Sequence, residues 1–254
     1  MESAVANNPW RSSAAYLYIL ELDRAALAWE YLRRNERYKR QWNETKGLGF
    51  AAQAQIWHCT HLVDPALDAR TASPEWLPPS VHPIRIVPCD AASDAPRFSP
   101  WRIPGQKTLY RTAAGFVLAA RVGPDSWRLS LSSKLHDESS FAYQIPAGLN
   151  PSLAISLIGQ INEAMAPGSV SKTRASDSGW RPKREAILHM RTLQVLDGVA
   201  ASATHRSIAE CIYGADEVWR RWYKYGEFPS HIRYLLRRGR ALVEGGYCRL
   251  LTPR

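Results

Sequence analysis

Apolar positions recur along this chain in more than one rhythm, and each rhythm predicts a different element. Between Asp23 and Gly47, Leu27, Tyr31, Tyr38 and Trp42 fall close to a helical repeat, and Ala28 and Leu32 widen the stripe. One helix is expected there, with Asp23 accepting from the free amides at its start and Gly47 closing its end. Arg33, Arg34, Arg37, Lys39 and Arg40 would line its outer face, partly offset by Glu30, Glu36 and Glu44, which reads as a solvated surface. The preceding YLYIL, residues 16–20, is a short apolar strand or helix. From Asp64 to Pro104, nine prolines exclude a long helix. Short strand-like pieces stand there and just before, IWHCTHLV (56–63) and HPIRIVP (82–88).

The rhythm then becomes that of β-structure. TLYRT, GFVLAARV, SWRLSLS and FAYQI follow one another, and Gly123-Pro124-Asp125 supplies a turn between two of them, which predicts a small antiparallel sheet. Asn150-Pro151 opens a helix whose apolar face would carry Leu153, Ile155, Leu157, Ile158, Ile161 and Met165. Residues 166–181, rich in Gly, Pro and Ser with no apolar periodicity, read as a linker.

Beyond the linker the helical period returns. Ile187, Met190, Leu193 and Leu196 mark the inner face of a first helix. Thr204 can cap HRSIAECIY, which Gly214 ends, with Ile208, Ala209 and Ile212 inward. ADEVWRRWYKYGEF follows, its Trp219 and Trp222 expected in the core. Ser230 is the expected cap of HIRYLLRRGRALVEGG, where Ile232, Leu235, Leu236, Leu242 and Val243 form a buried stripe. On its other side Arg233, Arg237 and Arg240 are spaced i, i+4, i+7, flanked by Tyr234 and Arg238. Gly245-Gly246 stops this helix, and YCRLL reads as a closing strand. That order is what a winged helix-turn-helix would produce. The expected fold is therefore α+β. Residues 1–165 would form an N-terminal domain of one helix and a small antiparallel sheet, 166–181 the linker, and 182–254 a winged helix-turn-helix-like helical domain.

The 254 residues are 45% hydrophobic and 22% charged, a globular composition. No stretch approaches the roughly 18 uncharged apolar residues of a membrane span. MESAVANNPW has neither a basic n-region nor an apolar h-region, so a cytoplasmic location is expected. The net charge of +10 is unevenly placed. Residues 1–79 are neutral, 80–179 carry +3 and 180–254 carry +7, with fourteen basic and seven acidic side chains in the last segment. Such polarisation is the footprint of a module that meets a polyanion, and a solvated basic surface is the competing reading.

The four cysteines are far apart. His58-Cys59-x-His61, if extended, would point its histidines to opposite faces, so neither metal nor cofactor is expected. Paired carboxylates, a GxSxG elbow, a glycine-rich phosphate loop and a supported Ser/His/Asp arrangement are all missing. His136-Asp137-Glu138, beside Ser139-Ser140, reads as a solvent-facing loop, and no enzyme is expected. Arginine, by contrast, can bridge guanine O6 and N7 with two hydrogen bonds or grip phosphate. Double-stranded DNA is thus the expected partner, contacted by Arg233, Arg237, Arg238, Arg240 and Tyr234. Arg220, Arg221 and Lys224, just before that helix, are candidate phosphate contacts.

Two segments carry a resemblance. WRSSAAYLYILELDRAALAWEYLRRNERYKRQW resembles the signature Trp-Arg…Tyr…Leu-Asp-Arg…Ala-Trp-Glu-Phe-Leu-Arg-Arg-Asn-x-x-Tyr. RSIAECIYG…RRGRALVEGGYCRLL resembles the Ile-Ala…Gly…Arg-Arg…Ala-Arg-x-Leu-x-x-Gly-Gly-Tyr-Arg-x-Leu-Leu end of the same proteins. They belong to the RovC-type family of proteobacterial transcriptional activators, related to the FseA and QseM regulators of integrative and conjugative elements. The match spans about residues 10–46 and 185–251. It implies a sequence-specific DNA-binding regulator, an activator working as a homo-oligomer (a hexamer or another higher-order form), with RNA polymerase as a further partner and no membrane. An anti-activator that sequesters a related transcription factor is the alternative. Carried over by position, Arg206 joins the DNA-contacting arginines. The second Arg of the family's Gly-Gly-Tyr-Arg end is Cys248 here, with Arg249 one place on. Tyr31 replaces the signature Phe. Trp29, Tyr31, Arg33 and Arg34 are the candidates for a subunit contact.

Overall fold

The computed structural model describes residues 8–45, 51–72, 74–77, 84–90, 97–103, 106–112, 115–122, 125–145, 151–166, 182–222 and 226–251. Two 3-10 helices, Pro9–Arg11 and Ser13–Glu21, come first. Helices α1 (Arg24–Leu32), α2 (Glu36–Thr45) and α3 (Ala51–Gln55) follow. Strands β1 (Arg85–Pro88), β2 (Arg97–Phe98), β3 (Gln106–Thr112), β4 (Gly115–Val122), β5 (Asp125–Ser132) and β6 (Ser139–Gln144) form one sheet. Helices α4 (Pro151–Met165), α5 (Arg184–Ala200), α6 (His205–Tyr213), α7 (Ala215–Arg221), α8 (Glu227–Ala241) and α9 (Cys248–Leu251) complete the chain. The fold class is α+β, as the periodicities imply.

The expected single helix over 23–47 is two. Asp23 does cap the first, its Oδ1 accepting from the Ala26 amide at 2.7 Å. The break lies at Arg33–Asn35, because the Asn35 carboxamide oxygen accepts from the Arg37 and Tyr38 amides and starts α2 afresh. Gly47 lies outside the described residues. Helix α1 is buried all round rather than on one stripe, every residue from Ala25 to Leu32 being enclosed. IWHCTHLV is not a strand. His58 turns the chain at φ 59° and only Cys59 makes a bridge, to Trp76.

The sheet runs β2-β6-β1-β5-β4-β3. β3, β4 and β5 form the expected antiparallel meander, with the Gly123-Pro124 turn outside the described residues. The sheet is mixed rather than purely antiparallel. β1 inserts between β5 and β6, parallel to the former, because Ile84 and Ile86 alternate into the core with Leu129 and Leu131. Ile161 and Met165 of α4 close that core, whereas Ile155, expected on the same face, is 70% exposed; Leu153 lies outside the described side chains.

The compact units do not follow the chain order. One gathers 1–57, 61–74 and 181–251; the other gathers 58–60, 75–180 and 252–254. Within the first unit the two 3-10 helices and α1 pack with α5, and α1 also packs with α9. Of the expected linker at 166–181, residues 167–181 lie outside the described residues.

Thr204 and Gly214 delimit α6 as expected, Thr204 accepting from the Ser207 amide at 3.1 Å. Helix α8 begins earlier than Ser230, after Gly226 in the left-handed region at φ 63°. After α8, Leu242–Gly246 makes a wide turn in which Gly245 adopts φ 121°. YCRLL is then a helix, not a closing strand. Tyr247 and Leu251, four apart, are both buried, a helical spacing that strand alternation cannot satisfy. Among the described residues the expected closing strand is therefore replaced by α9.

Candidate nucleic-acid interface

Helix α8 is the element on which the C-terminal charge becomes a surface. Its core side is fixed by Phe228, Ile232 and Leu235, which join Val195, Ile208, Ala209, Val218 and Trp10 in one cluster. Gly239 continues that side: a Cβ there would come within 2.8 Å of the Leu196 side chain, so α5 and α8 approach closely because the position is bare. With that face held, helical geometry turns Arg233, Arg237 and Arg240 outward, and all three are exposed. Arg233 donates to Ser230 Oγ at 3.2 Å. Among the described residues none of the three pairs with a carboxylate. Tyr234 is 42% exposed on the flank. Behind it the His231 and Tyr213 rings lie together, Tyr213 Oη 2.9 Å from His231 Nδ1, and Arg191 stands over Tyr213.

The remaining candidates are differently placed. Arg206 pairs with Glu210 at 3.1 Å. Arg220 lies 3.4 Å from Glu217, and Arg221 pairs with both Glu217 and Glu227 at 2.8 and 2.6 Å. The Arg221 hydrogen bond holds the Glu217 carboxyl below its ordinary range. Arg249 is exposed on α9. Trp219, expected in the core, is 74% exposed, because Val218 takes the inward position of this short helix; Trp222 does pack inward. Lys224 lies outside the described residues.

Arg238 faces the other way. Its Nη2 is 3.5 Å from His189 Nε2, while His189 Nδ1 is 2.7 Å from Tyr31 Oη. His189 and Tyr31 are fully buried. Arginine can only donate, so Nε2 accepts and Nδ1–H donates to the Tyr31 oxygen, which requires a neutral ring. Burial, then the Arg238 charge, hold the His189 pKa down at about 4.

Residues 146–252 match the RovC DNA-binding domain, described as a T6SS transcription factor DNA-binding domain, and residues 9–61 match a proteobacterial transcriptional regulator-like domain. Together the two matches support a RovC-type proteobacterial regulator. None of the curated proteins matches the chain. The matched domains make the chain a DNA-binding transcriptional regulator, and all six strands of the sheet lie between the two matched spans. Among the described residues no helix is long and apolar enough to cross a membrane, and no His, Cys, Asp or Glu cluster is suited to a metal ion.

The RovC-type N-terminal signature finds its roles inside the molecule. Trp29 Nε1 donates to the Leu67 carbonyl at 3.1 Å. Glu30, fully buried, accepts from the Ala69 amide and pairs with Arg33 and Arg34. Arg33 also donates to the Pro65 carbonyl. Arg34 reaches Asp197 of α5 through two hydrogen bonds, 2.7 and 2.8 Å, and Tyr16 Oη donates to the same carboxylate at 2.6 Å. Burial pushes the Asp197 carboxyl up, but Arg34 outweighs it and leaves the group below the ordinary carboxylate range. Trp29, Tyr31, Arg33 and Arg34, the candidates for a subunit contact, are thus engaged within one chain. Sequence reasoning missed His189 as the partner of Tyr31 and Asp197 as the partner of Arg34, since nothing local marks a contact across 150 or more residues.

Proposed function

We propose that the chain binds specific double-stranded DNA through the outer face of α8, with Arg233, Arg237 and Arg240 as its direct contacts. One observation carries this: three outward arginines on a helix anchored by its opposite face, none offset by a carboxylate among the described residues. Fifteen residues make a rod about 22 Å long. A rod of that size fits a major groove about 12 Å wide, where arginine reads guanine bidentately. Tyr234 lies beside this row. Arg206, Arg220, Arg221, Arg249 and Lys224 are assigned to the phosphate rim; the ion pairs of the first three must be shared or exchanged on binding. Residues 182–254 act as the DNA-binding domain on this reading. The family resemblance supports activation, assembly into a homo-oligomer and contact with RNA polymerase, and a DNA target supports a cytoplasmic location.

The test uses a duplex selected from a random-sequence pool by the unaltered chain. Arg237→Ala should weaken binding and lower the slope of log affinity against log salt by about one, as one phosphate or base-edge cation is lost. Unchanged affinity and slope would sink the assignment. Failure to select any duplex, with tight binding to a related regulator, would favour the anti-activator alternative. Light scattering with and without the duplex reads the assembly state.

A further inference from the structure

The arginine row of α8 contains one member that does not belong with the others. Arg238 lies beside Arg237 in sequence but a hundred degrees round the helix, toward α5. Its Nε is buried, and its Nη2 meets His189 Nε2 at 3.5 Å. His189 in turn meets Tyr31 of α1, so three elements distant in sequence are joined through one imidazole. A second grip lies just beyond the helix. Asn35 Nδ2 donates to the Val243 carbonyl at 2.8 Å, while the oxygen of the same carboxamide caps α2. Arg24, at the start of α1, donates to the Arg249 and Leu250 carbonyls at 2.7 and 3.2 Å. All these contacts lie within one compact unit.

We infer that Arg238 is a positioning residue rather than a DNA contact, and that the N-terminal signature, through Tyr31 and Asn35, sets the attitude of the DNA-reading helix. The physical reason is register. A helix held only by its apolar stripe can rotate or slide by a fraction of a turn at low cost, whereas directional hydrogen bonds at one point on it and another just past its end fix both movements. The arginines on the outer face are read against base edges, so a small rotation of α8 changes which edges they meet. On this view the RovC-type N-terminal domain is part of the DNA-binding apparatus itself.

The inference rests on α8 being the DNA-reading helix, and Arg237→Ala controls for that separately. Binding of the selected duplex is measured by fluorescence anisotropy across a salt series. The full-length chain is compared with Arg238→Met, Tyr31→Phe and the double variant, at a temperature where circular dichroism shows each folded. Arg238→Met keeps the packed stem and removes the donor; Tyr31→Phe removes one hydroxyl. Each single variant should weaken binding with the salt slope unchanged. The double variant should be no weaker than the worse single, a departure from additivity on the order of threefold or more. A slope lowered by about one in Arg238→Met, or additive effects, would overturn the inference while leaving the Arg237 result intact. If Arg238→Met does not fold, Tyr31→Phe alone decides, since an affinity equal to that of the unaltered chain rules the coupling out. If Arg237→Ala changes nothing, it is the reading of α8 that fails.

Discussion

A buried imidazole stays neutral only if the chain around it makes protonation costly, and His189 shows how. With its pKa near 4 against about 6.5 unfolded, the native state binds fewer protons across that interval. Its contribution to stability is therefore fully present above about pH 6.5 and is lost as the pH falls toward 4, at about 1.4 kcal/mol per pH unit. In His189→Gln the urea-derived stability should fall less steeply between about pH 6 and 5, by close to one proton equivalent. His231, whose pKa is also lowered, is common to both proteins and cancels in the difference. Parallel pH curves would refute this account of His189. At this scale the sequence was most legible where a residue acts on its neighbours. Asp23 and Thr204 cap the helices that their positions announce. Glu30 and Arg34 read as solvent-facing, because their partners, the Ala69 amide and Asp197, are distant in sequence.

Elements were legible where one face is solvated and illegible where none is. α8 shows both faces in its sequence, and the structure keeps Ile232 and Leu235 in and Arg233, Arg237 and Arg240 out. α1 is enclosed on every side, so its periodicity carried no information about where it would pack. The closing YCRLL looked like a strand because four of its five residues are aromatic, aliphatic or sulfur-bearing. Gly245 redirects the chain, and Tyr247 seats its hydroxyl on the Trp57 carbonyl at 3.2 Å, which leaves a short helix as the way to bury Leu251 too. Close helix approach gives the prediction at this scale. A Cβ on Gly198 of α5 would meet Ile208 at 2.8 and 2.9 Å and the Trp10 ring at 3.4 Å, and both neighbours are nearly inaccessible. Gly198→Ala gains about 1 kcal/mol of helix propensity, but overpacking a rigid site costs about 1–3 kcal/mol. The variant should be less stable than the parent in urea; a midpoint equal to or above the parent's would show that α6 yields freely.

For the whole molecule, the consequential fact is that one compact unit is assembled from both ends of the chain. No compositional boundary announces this, since the proline-rich stretch and the sheet separate the two parts in sequence. The charged tie across it is Arg34, buried between Glu30 and Asp197. Removing that cation leaves Glu30 to Arg33 alone and leaves Asp197 with the Tyr16 hydroxyl but no cation in a poorly solvated place, at a cost of about 3–5 kcal/mol. Because Arg34 lies in the N-terminal segment and Asp197 in α5, the two parts should loosen together. In Arg34→Ala, hydrogen exchange should quicken over residues 9–45 and 184–251 alike. Strands β3 to β5, which belong to the other unit and hold one another by an antiparallel ladder, should exchange as in the parent. Quickening confined to 9–45 would mean that the C-terminal helices stand without the N-terminal signature. The positioning of α8 by Tyr31 and Asn35 would then lose its structural basis.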